Sequence, residues 1–311
     1  WRDVFMAMYI MKGLCVIGII LNVVLMIRKN KELRANPEKD PGTGMTGEEL
    51  WQRGKQPKNL VATIITGFVA NFLDTLGIGS FAPSSASFKL TKSVDDILVP
   101  GTLNVGDTVP VCVEAFLFFG FVDMDILTLV LMIVASVVGS FVMADIVTKF
   151  DRKKVRYALF VGLFILATVI LMKVFAIGPF GTIGTELGLR GAKLVIAVVG
   201  NFIFGALMSI GVGLYAPCMA MVLALGMDAG CAFPAMMGSC AYLCPACGIT
   251  FIKEGKYNRA ATIPMIISGA IGVLIAGFIV TSLPLTVLTY LVCVVMVICA
   301  ILFFHDARKQ K

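Results

Sequence analysis

Charged side chains are scarce in this sequence. Asp, Glu, Lys and Arg make up only 14% of its 311 residues, whereas 59% are hydrophobic and the mean hydropathy is +0.95. So few charges cannot cover a soluble globular protein of this size, and the composition instead indicates an all-α polytopic membrane protein. The net charge of +7 lies mostly in short polar segments between apolar runs. This is typical of cytoplasmic loops and does not indicate nucleic-acid binding.

Histidine is almost absent. His305, near the end of the last apolar run, is the single histidine, so the sequence contains no histidine-based metal site or nucleophile. We therefore expect no metal, no cofactor and no enzymatic activity. The nine cysteines lie mostly inside apolar runs, which argues against the disulfide framework of a secreted protein.

Apolar runs separated by basic segments predict how the chain crosses the membrane. All the basic segments share one side only if two overlong apolar stretches turn back instead of crossing, and the positive-inside rule makes that side the cytoplasm. We therefore expect a multi-pass protein of the plasma membrane with its amino terminus outside and its carboxyl terminus in the cytoplasm.

Crossing helices are predicted at 5–27, 126–147, 157–177, 260–280 and 283–304, and helices interrupted by proline and glycine at 97–121 and 229–252. The predicted divisions are a first helix with a polar loop (1–59), repeat 1 (60–150), a linking helix with an outer loop (151–193), repeat 2 (194–282) and a last helix with a cytoplasmic tail (283–311).

Two glycine breaks interrupt the overlong stretches. As one helix, residues 60–90 would exceed a ~30 Å hydrocarbon core by about half. Gly77 and Gly79, followed by Pro83, break that helix, and the pattern Gly-x-Gly-x-aromatic-Ala-Pro recurs at 211–217. Glycine permits the break, and proline is tolerated in the first turn of the helix that follows. We predict a re-entrant helical hairpin at each break, with its tip at the membrane midplane.

The two breaks belong to an internal repeat. A shift of 134 residues aligns Gly77 with Gly211 and Pro83 with Pro217, and a shift of 133 aligns Gly139 with 272. One crossing helix separates the halves, so they have inverted topology, which is the usual layout of a secondary transporter with its site between the repeats. The alternative is that these residues serve only close helix packing.

An anion is the ligand that such breaks favour. Each new helix directs unpaired N–H groups and the positive end of its dipole inward, and no Lys or Arg lies near either break. The bound ion would be held by backbone groups and neutral side chains. Ser84 and Cys218 follow the two prolines and face either the ligand or a neighbouring helix. The candidate binding residues are Gly77, Gly79, Ser80, Phe81, Ala82, Ser84, Ser85, Thr102, Asn104, Gly211, Gly213, Leu214, Tyr215, Ala216, Cys218 and Ser239.

Three acidic residues are candidates for proton coupling: Asp74, Asp107 and Glu114. Intramembrane carboxyl groups are costly unless they are protonated or paired, which makes them functional candidates. Glu114 lies in an apolar segment and is the first choice, whereas Asp107 could instead lie in a water-exposed loop. The aligned positions in the second repeat, Met208, Ala241 and Ile249, are not acidic, so the proton site belongs to one half only.

The two motifs also resemble a known family. Residues 77–83 and 211–217, each followed by a second helix broken by proline, as at residues 99–104, resemble the TauE/SafE family of sulfite exporters, over roughly residues 60–304. This resemblance implies a carrier of sulfite or small organosulfonates, often an exporter. The expected partners are a small sulfur-containing anion, protons and the lipid bilayer. The direction of transport and a homo-oligomeric state stay open.

A redox function is the alternative. Cys244-Pro-Ala-Cys247 has the C-x-x-C spacing of redox sites, and Cys112 aligns with Cys247 across the repeat. A membrane thiol–disulfide electron carrier could use these three residues. Cysteine in a membrane helix also serves as a small apolar residue, as Cys15 and Cys299 illustrate in this chain.

Overall fold

The protein is built from helices. The computed structural model describes residues 2–35, 48–49, 52, 56–120, 123–142, 184–208 and 213–309, together with single residues between 154 and 172. These ranges contain helices, connecting turns and one isolated β-bridge between Glu186 and Met227. Four helical segments are long and apolar enough to cross a membrane: Met6–Glu32, Gly191–Met208, Ala229–Glu254 and Arg259–Thr281. The all-α class is therefore confirmed, and these four segments indicate a membrane protein.

Short turns join the helices wherever the structure describes the whole connection. Short 3₁₀ turns, Asp96–Leu98 and Ala229–Cys231, precede the fourth and the ninth helix. In chain order the helices are α1 (Arg2–Ala35), α2 (Pro57–Thr75), α3 (Phe81–Thr91), α4 (Val99–Gly106), α5 (Thr108–Phe118), α6 (Ile126–Val142), α7 (Gly191–Met208), α8 (Tyr215–Ala224), α9 (Ala232–Glu254), α10 (Arg259–Thr281) and α11 (Leu285–Lys309).

Proline interrupts the helices less than the sequence indicates. Pro100 and Pro110 lie in the first turns of α4 and α5, where a missing N–H costs nothing. The break between these helices falls at Asp107, whose N–H still donates to the Leu103 carbonyl at 2.8 Å. Helix α9 runs without interruption through Pro245, so the predicted break in 229–252 is wrong. The predicted helix 157–177 and the end of 126–147 lie largely outside the described residues.

The chain does break at the first pair of glycines. Helix α2 ends at Thr75 and α3 begins at Phe81, while Gly77 and Gly79 adopt φ angles of +96° and +91°, in the left-handed region that favours glycine. The residue before α3, Ser80, has φ −81° and ψ −28°. Before α8, Leu214 has nearly the same values, −80° and −28°. Both short helices therefore begin in the same backbone conformation.

Two long helix pairs frame the molecule, with α9 at its centre. Helix α2 packs along α10, and α6 packs along α7. Helix α9 contacts α1, α4, α5, α6 and α8, and its side chains are buried over most of its length. Helix α8 is buried from Tyr215 to Leu223, whereas α3 buries only Phe81, Ser84 and Phe88.

Glycines bring the framing helices into backbone contact. A Cβ atom added at Gly139 of α6 would collide with the Phe202 carbonyl of α7, and one at Gly272 of α10 would lie 2.5 Å from the Phe68 carbonyl of α2. Small residues at a helix crossing permit such an approach, and the packing gained there stabilises helix association in a membrane. These glycines set the spacing of the two helix pairs.

We expect Gly139→Ala and Gly272→Ala each to destabilise the protein. The added methyl group has to displace a neighbouring backbone carbonyl, and overpacking of this kind costs typically about 1–3 kcal/mol. Gly13→Ala in α1 is the matched control, because its added Cβ would meet no atom within 4 Å. Thermal unfolding in detergent measures the effect. Equal melting temperatures for all three variants would contradict the close approach.

An acidic residue fastens the segment before α7 to the start of α6. Asp125 Oδ2 accepts hydrogen bonds from the backbone N–H and the hydroxyl of Thr128, at 2.8 and 2.7 Å, and so caps α6. Both Asp125 oxygens also accept from the Arg190 guanidinium at 2.8 Å. This bidentate pair, and then the bonds from Thr128, hold the pKa of Asp125 well below its usual range.

This ion pair predicts a pH-dependent contribution to stability. Because the folded-state pKa of Asp125 is lowered, its stabilisation is present above the unfolded-state pKa of about 3.9 and is lost as the pH falls below that value. Asp125→Asn should therefore lower the melting temperature at pH 7 and change it progressively less below about pH 4. Glu254→Gln is the control, since Glu254 pairs only with the exposed Lys256. A pH-independent difference between wild type and Asp125→Asn would contradict this account.

Candidate functional site

A cavity lies where the first turns of α3 and α8 meet. Space that no protein atom fills, part of it open to solvent, amounts to about 770 Å³. Helix α3 contributes Ser80, Phe81 and Ala82 to its lining, and α8 contributes residues 214–216. The remaining walls come from α2, α5, α7, α9 and α11: Asp74, Val111, Met208, Cys240, Cys299 and Leu302. No Lys, Arg or His is among the described residues that line it.

Most of the predicted binding residues at the two breaks line this cavity. They are Gly79, Ser80, Phe81, Ala82, Ser85, Gly213, Leu214, Tyr215 and Ala216. Gly77 lies within the first break, beside the Met219 side chain. Gly211 lies outside the described residues. The structure thus brings the two breaks together, although 134 residues separate them along the chain.

The remaining predicted binding residues lie away from the lining. Thr102 donates to the Leu98 carbonyl at 2.7 Å and accepts from the Asn258 N–H at 2.9 Å. Asn104 donates to the Pro100 carbonyl at 2.9 Å. Ser239 bonds the Ala235 carbonyl at 2.7 Å and the Asn201 amide at 2.8 Å. Ser84 and Cys218 are buried and are not among the described residues that line the cavity, and both alternatives for them stay predictions.

Backbone N–H donors lie beside the cavity at the start of each short helix, α3 and α8. The first N–H groups of an α-helix have no intrahelical acceptor, and no side chain caps α3 or α8. The N–H groups of Phe81 and Ala82, and of Tyr215 and Ala216, are therefore suited to an acceptor in the cavity. The Ser80 N–H is already occupied, because it donates to Asp74 Oδ1 at 2.7 Å.

Buried carboxyl groups lie beside these donors. Asp107 accepts from the Asn71 amide at 3.1 Å and from the Ser80 hydroxyl at 3.0 Å. It is fully buried, so the alternative of a water-exposed loop is wrong. Since Ser80 donates to Asp74 through its N–H and to Asp107 through its hydroxyl, one residue at the start of α3 holds two acids.

Glu114 connects the two halves of the molecule. One of its oxygens accepts from the Thr75 hydroxyl of α2 at 2.8 Å, and the other accepts from the Tyr215 hydroxyl of α8 at 2.6 Å. All three side chains are buried. The start of α8 is thus tied to α5 and α2 through a single carboxyl group.

Asp74 is the acid with an unpaired oxygen. Its Oδ2 is buried and has no hydrogen-bond partner, whereas both oxygens of Asp107 and of Glu114 accept bonds. Asp74 is also the one acid among the described residues that line the cavity. Of the three acids, Asp74 is therefore the one that adjoins a ligand in the cavity.

Sequence reasoning missed several members of this network. Asn71 lies three residues before Asp74 and four residues before Thr75, so all three share one face of α2. That spacing of polar residues in an apolar helix was the available signal. The hydroxyl of Tyr215 was missed as well, because only its backbone was considered. Nothing in the sequence points to Cys299 and Leu302 of α11 as wall residues.

One cysteine, Cys112, has a structural role as a hydrogen-bond donor to helix α9. Pro245 has no N–H, so it frees the Ala241 carbonyl one turn earlier in α9. Cys112 of α5 donates its thiol to that carbonyl at 3.4 Å. Cys244 is buried and Cys247 is half-buried, and both are free thiols, as is Cys112. The electron-carrier alternative stays a prediction.

Comparison with known proteins does not assign this chain to a family. No family model matches the sequence, and no curated protein or solved structure matches the chain significantly. The described residues contain no group of three or more His, Cys, Asp or Glu that could hold a metal ion. The resemblance to the TauE/SafE family therefore stays a prediction from two short motifs.

The bond between Tyr215 and Glu114 predicts a coupling free energy. Tyr215→Phe leaves one buried oxygen of Glu114 unpaired, which costs about 1–3 kcal/mol. When Glu114→Gln is already present, Tyr215→Phe should cost less, and a double-mutant cycle in detergent measures the difference. Tyr242→Phe, which removes a hydroxyl bonded to the Met11 carbonyl at 2.8 Å, is the control and should be additive with Glu114→Gln. Additivity of Tyr215→Phe and Glu114→Gln would contradict the bond.

Proposed function

We propose that this protein is a secondary transporter of small sulfur-containing anions, such as sulfite or organosulfonates, coupled to protons. One observation carries the proposal: the first turns of two separate helix breaks line one cavity, and a buried carboxyl network adjoins it. The resemblance stated above contributes the sulfur chemistry and favours export. We place the transporter in the plasma membrane, and the positive-inside rule then puts its carboxyl terminus in the cytoplasm.

Helix positions support two repeats of inverted topology. Helix α7 begins 134 residues after α2, α8 begins 134 after α3, and α10 begins 133 after α6. The framing pairs exchange under this shift, because α2 on α10 becomes α7 on α6. The glycine contacts follow it too: Phe68 and Gly272 correspond to Phe202 and Gly139. One architecture used twice accounts for all these matches.

Helix length supports a re-entrant hairpin at each break. Helix α3 has 11 residues, which at ~1.5 Å per residue is about half of a ~30 Å hydrocarbon core. Such a helix cannot complete a crossing, so it returns to the side from which α2 entered. Lys89 and Lys92 at its end then lie at the cytoplasmic surface with the other basic residues. With inverted topology, α7 and α8 enter from outside, and the two tips meet at the midplane.

The cavity offers an anion neutral donors. Sulfite and sulfonate oxygens accept hydrogen bonds, and the helix starts at Phe81 and Tyr215 present backbone N–H groups with the positive ends of two helix dipoles. Because no cationic side chain is among the described lining residues, binding depends on dipoles. An ion held in this way is released more readily than one paired with Arg or Lys.

The carboxyl network is the basis for proton coupling. Ionised carboxyl groups inside a membrane are expensive unless they are paired with cations or take up protons. Asp74, Asp107 and Glu114 have hydrogen-bond donors in the described structure, but none of these donors is Lys, Arg or His. A transported anion adds further negative charge beside them. Uptake of a proton with the anion relieves both costs.

Flux into proteoliposomes tests the proposal. We expect labelled sulfite or sulfoacetate, and not sulfate, to be carried faster than in empty liposomes, and an imposed pH gradient to drive accumulation. Glu114→Gln, which mimics a protonated carboxyl group, should abolish gradient-driven flux and retain substrate binding and anion exchange. Glu254→Gln is the control outside the network and should behave like wild type.

The outcomes separate the two parts of the proposal. If no sulfur-containing anion moves faster than in empty liposomes, the transporter proposal is wrong. If transport occurs but gradient-driven flux survives Glu114→Gln unchanged, Glu114 is not the coupling group. Loss of flux on Cys112→Ala with Cys244→Ala and Cys247→Ala, in a folded protein whose wild type carries a reducible disulfide, would instead favour the electron carrier.

A further inference from the structure

Asp74 makes the two helix starts at the cavity unequal. We infer that its carboxylate acts as an internal anion at the N-terminus of α3, and that a substrate anion binds only when Asp74 carries a proton. This inference rests on the proposed transport function and deepens it, because it assigns the step at which a proton and the anion become linked. Four observations carry it: the contact with Ser80, the unpaired oxygen, the position on the cavity wall and the contrast with α8.

The glycine turn places Asp74 at the start of α3. Asp74 lies in the last turn of α2, and the positive φ angles of Gly77 and Gly79 fold the chain back so that its Oδ1 accepts from the Ser80 N–H at 2.7 Å. A carboxylate at this position interacts favourably with the positive end of the helix dipole. One of the donors at the start of α3, the Ser80 N–H, is thus already taken by a side chain of the protein, and a carboxylate there competes with a substrate anion for the Phe81 and Ala82 N–H groups.

The second oxygen of Asp74 is available to a ligand in the cavity. Oδ2 has no hydrogen-bond partner, and the residue is only 2% exposed although it lines the cavity. A buried carboxyl oxygen without a partner is costly, so native structures rarely leave one unused. As a carboxylate this oxygen repels an anion, whereas as a carboxylic acid it donates a hydrogen bond to one. One proton therefore converts the group from a competitor into a ligand.

The corresponding position at the other break holds no charge. Met208, 134 residues after Asp74, also lines the cavity, and in the described structure no side chain caps the backbone N–H groups at the start of α8, where Glu114 instead accepts from the Tyr215 hydroxyl. We therefore assign the start of α8 as the permanent anion donor and the start of α3 as the conditional one. The absence of an acid at the aligned position in the second repeat, Met208, then has a mechanistic reason: one half binds and the other half responds to pH.

The groups around Asp74 do not supply a compensating cation. Asp107 and Glu114 have both oxygens occupied by hydrogen bonds, which leaves Asp74 as the acid that faces the cavity with free capacity. Lys, Arg and His do not occur among the described lining residues. The titratable groups that face Asp74 from the packed helices are Asp107 and Glu114 near α5, Tyr215 on α8, and Cys240 and Cys244 on α9.

Binding of sulfoacetate across a pH series tests the inference. Both acid groups of this probe are ionised from pH 6 to pH 8, whereas sulfite itself titrates in that range and would confuse the measurement. For the purified wild type in detergent we expect the affinity to fall toward roughly tenfold per pH unit on the alkaline side, as for one linked proton. Asp74→Asn should bind with little dependence on pH. Glu254→Gln, outside the network, should keep the wild-type dependence.

Two further measurements do not depend on the folding of Asp74→Asn. On the alkaline side, where the affinity falls with pH, titration calorimetry of the wild type in buffers of different ionisation enthalpy should show uptake of about one proton for each anion bound. Met208→Asp places a second internal anion at the start of α8 and should weaken sulfoacetate binding strongly, and more than the neutral Met208→Asn of similar size does. Binding without proton uptake would overturn the inference, and so would an Asp74→Asn variant that keeps the wild-type pH dependence.

These outcomes are distinct from failure of the proposed function. If the wild type transports sulfite in proteoliposomes but binds sulfoacetate without proton uptake, the transporter stands and the role of Asp74 is wrong. If the wild type neither binds sulfoacetate at any pH nor transports sulfite, both are wrong.

Discussion

Interrupting a helix inside an apolar layer leaves backbone groups that water cannot satisfy, and the structure depends on how these groups are used. In lipid each unsatisfied N–H or carbonyl costs several kcal/mol, so irregular backbone is tolerated only where it is buried in protein or lines a cavity. Here the two breaks are brought together around one cavity, with α9 packed behind them. The backbone N–H groups that each break leaves unpaired thus become hydrogen-bond donors at the same cavity.

The hydrogen-bond network gives this arrangement its asymmetry. Two short helices begin in the same backbone conformation, yet the start of α3 contacts Asp74 and Asp107 through Ser80, while the start of α8 contacts Glu114 through the Tyr215 hydroxyl. Two helix starts of the same conformation therefore carry different chemistry. Such a division lets one part of a site remain constant while the other responds to its surroundings.

How much the sequence could predict depended on whether a residue acts locally or through a partner. The break at Gly77 and Gly79 was predictable because glycine conformation is a local property, and so was the burial of Glu114 in an apolar run. Thr102 was predicted to bind the ligand, but its hydroxyl lies away from the cavity. It donates to the Leu98 carbonyl four residues earlier and accepts from the backbone N–H of Asn258, just before α10. Thr75 was overlooked because its role comes from Glu114, which lies 39 residues away.

Cys112 and Pro245 illustrate how residues on different helices constrain one another's replacement. While Pro245 withholds its N–H, the Ala241 carbonyl needs a donor from elsewhere, and the thiol of Cys112 supplies one. Serine at position 112 would keep a donor there, whereas alanine would orphan the carbonyl. Replacement of Pro245 by a residue with an N–H would restore the helical bond and remove the demand. Substitution at position 112 is thus epistatic with position 245, and the order in which the two change during evolution determines which intermediates fold well.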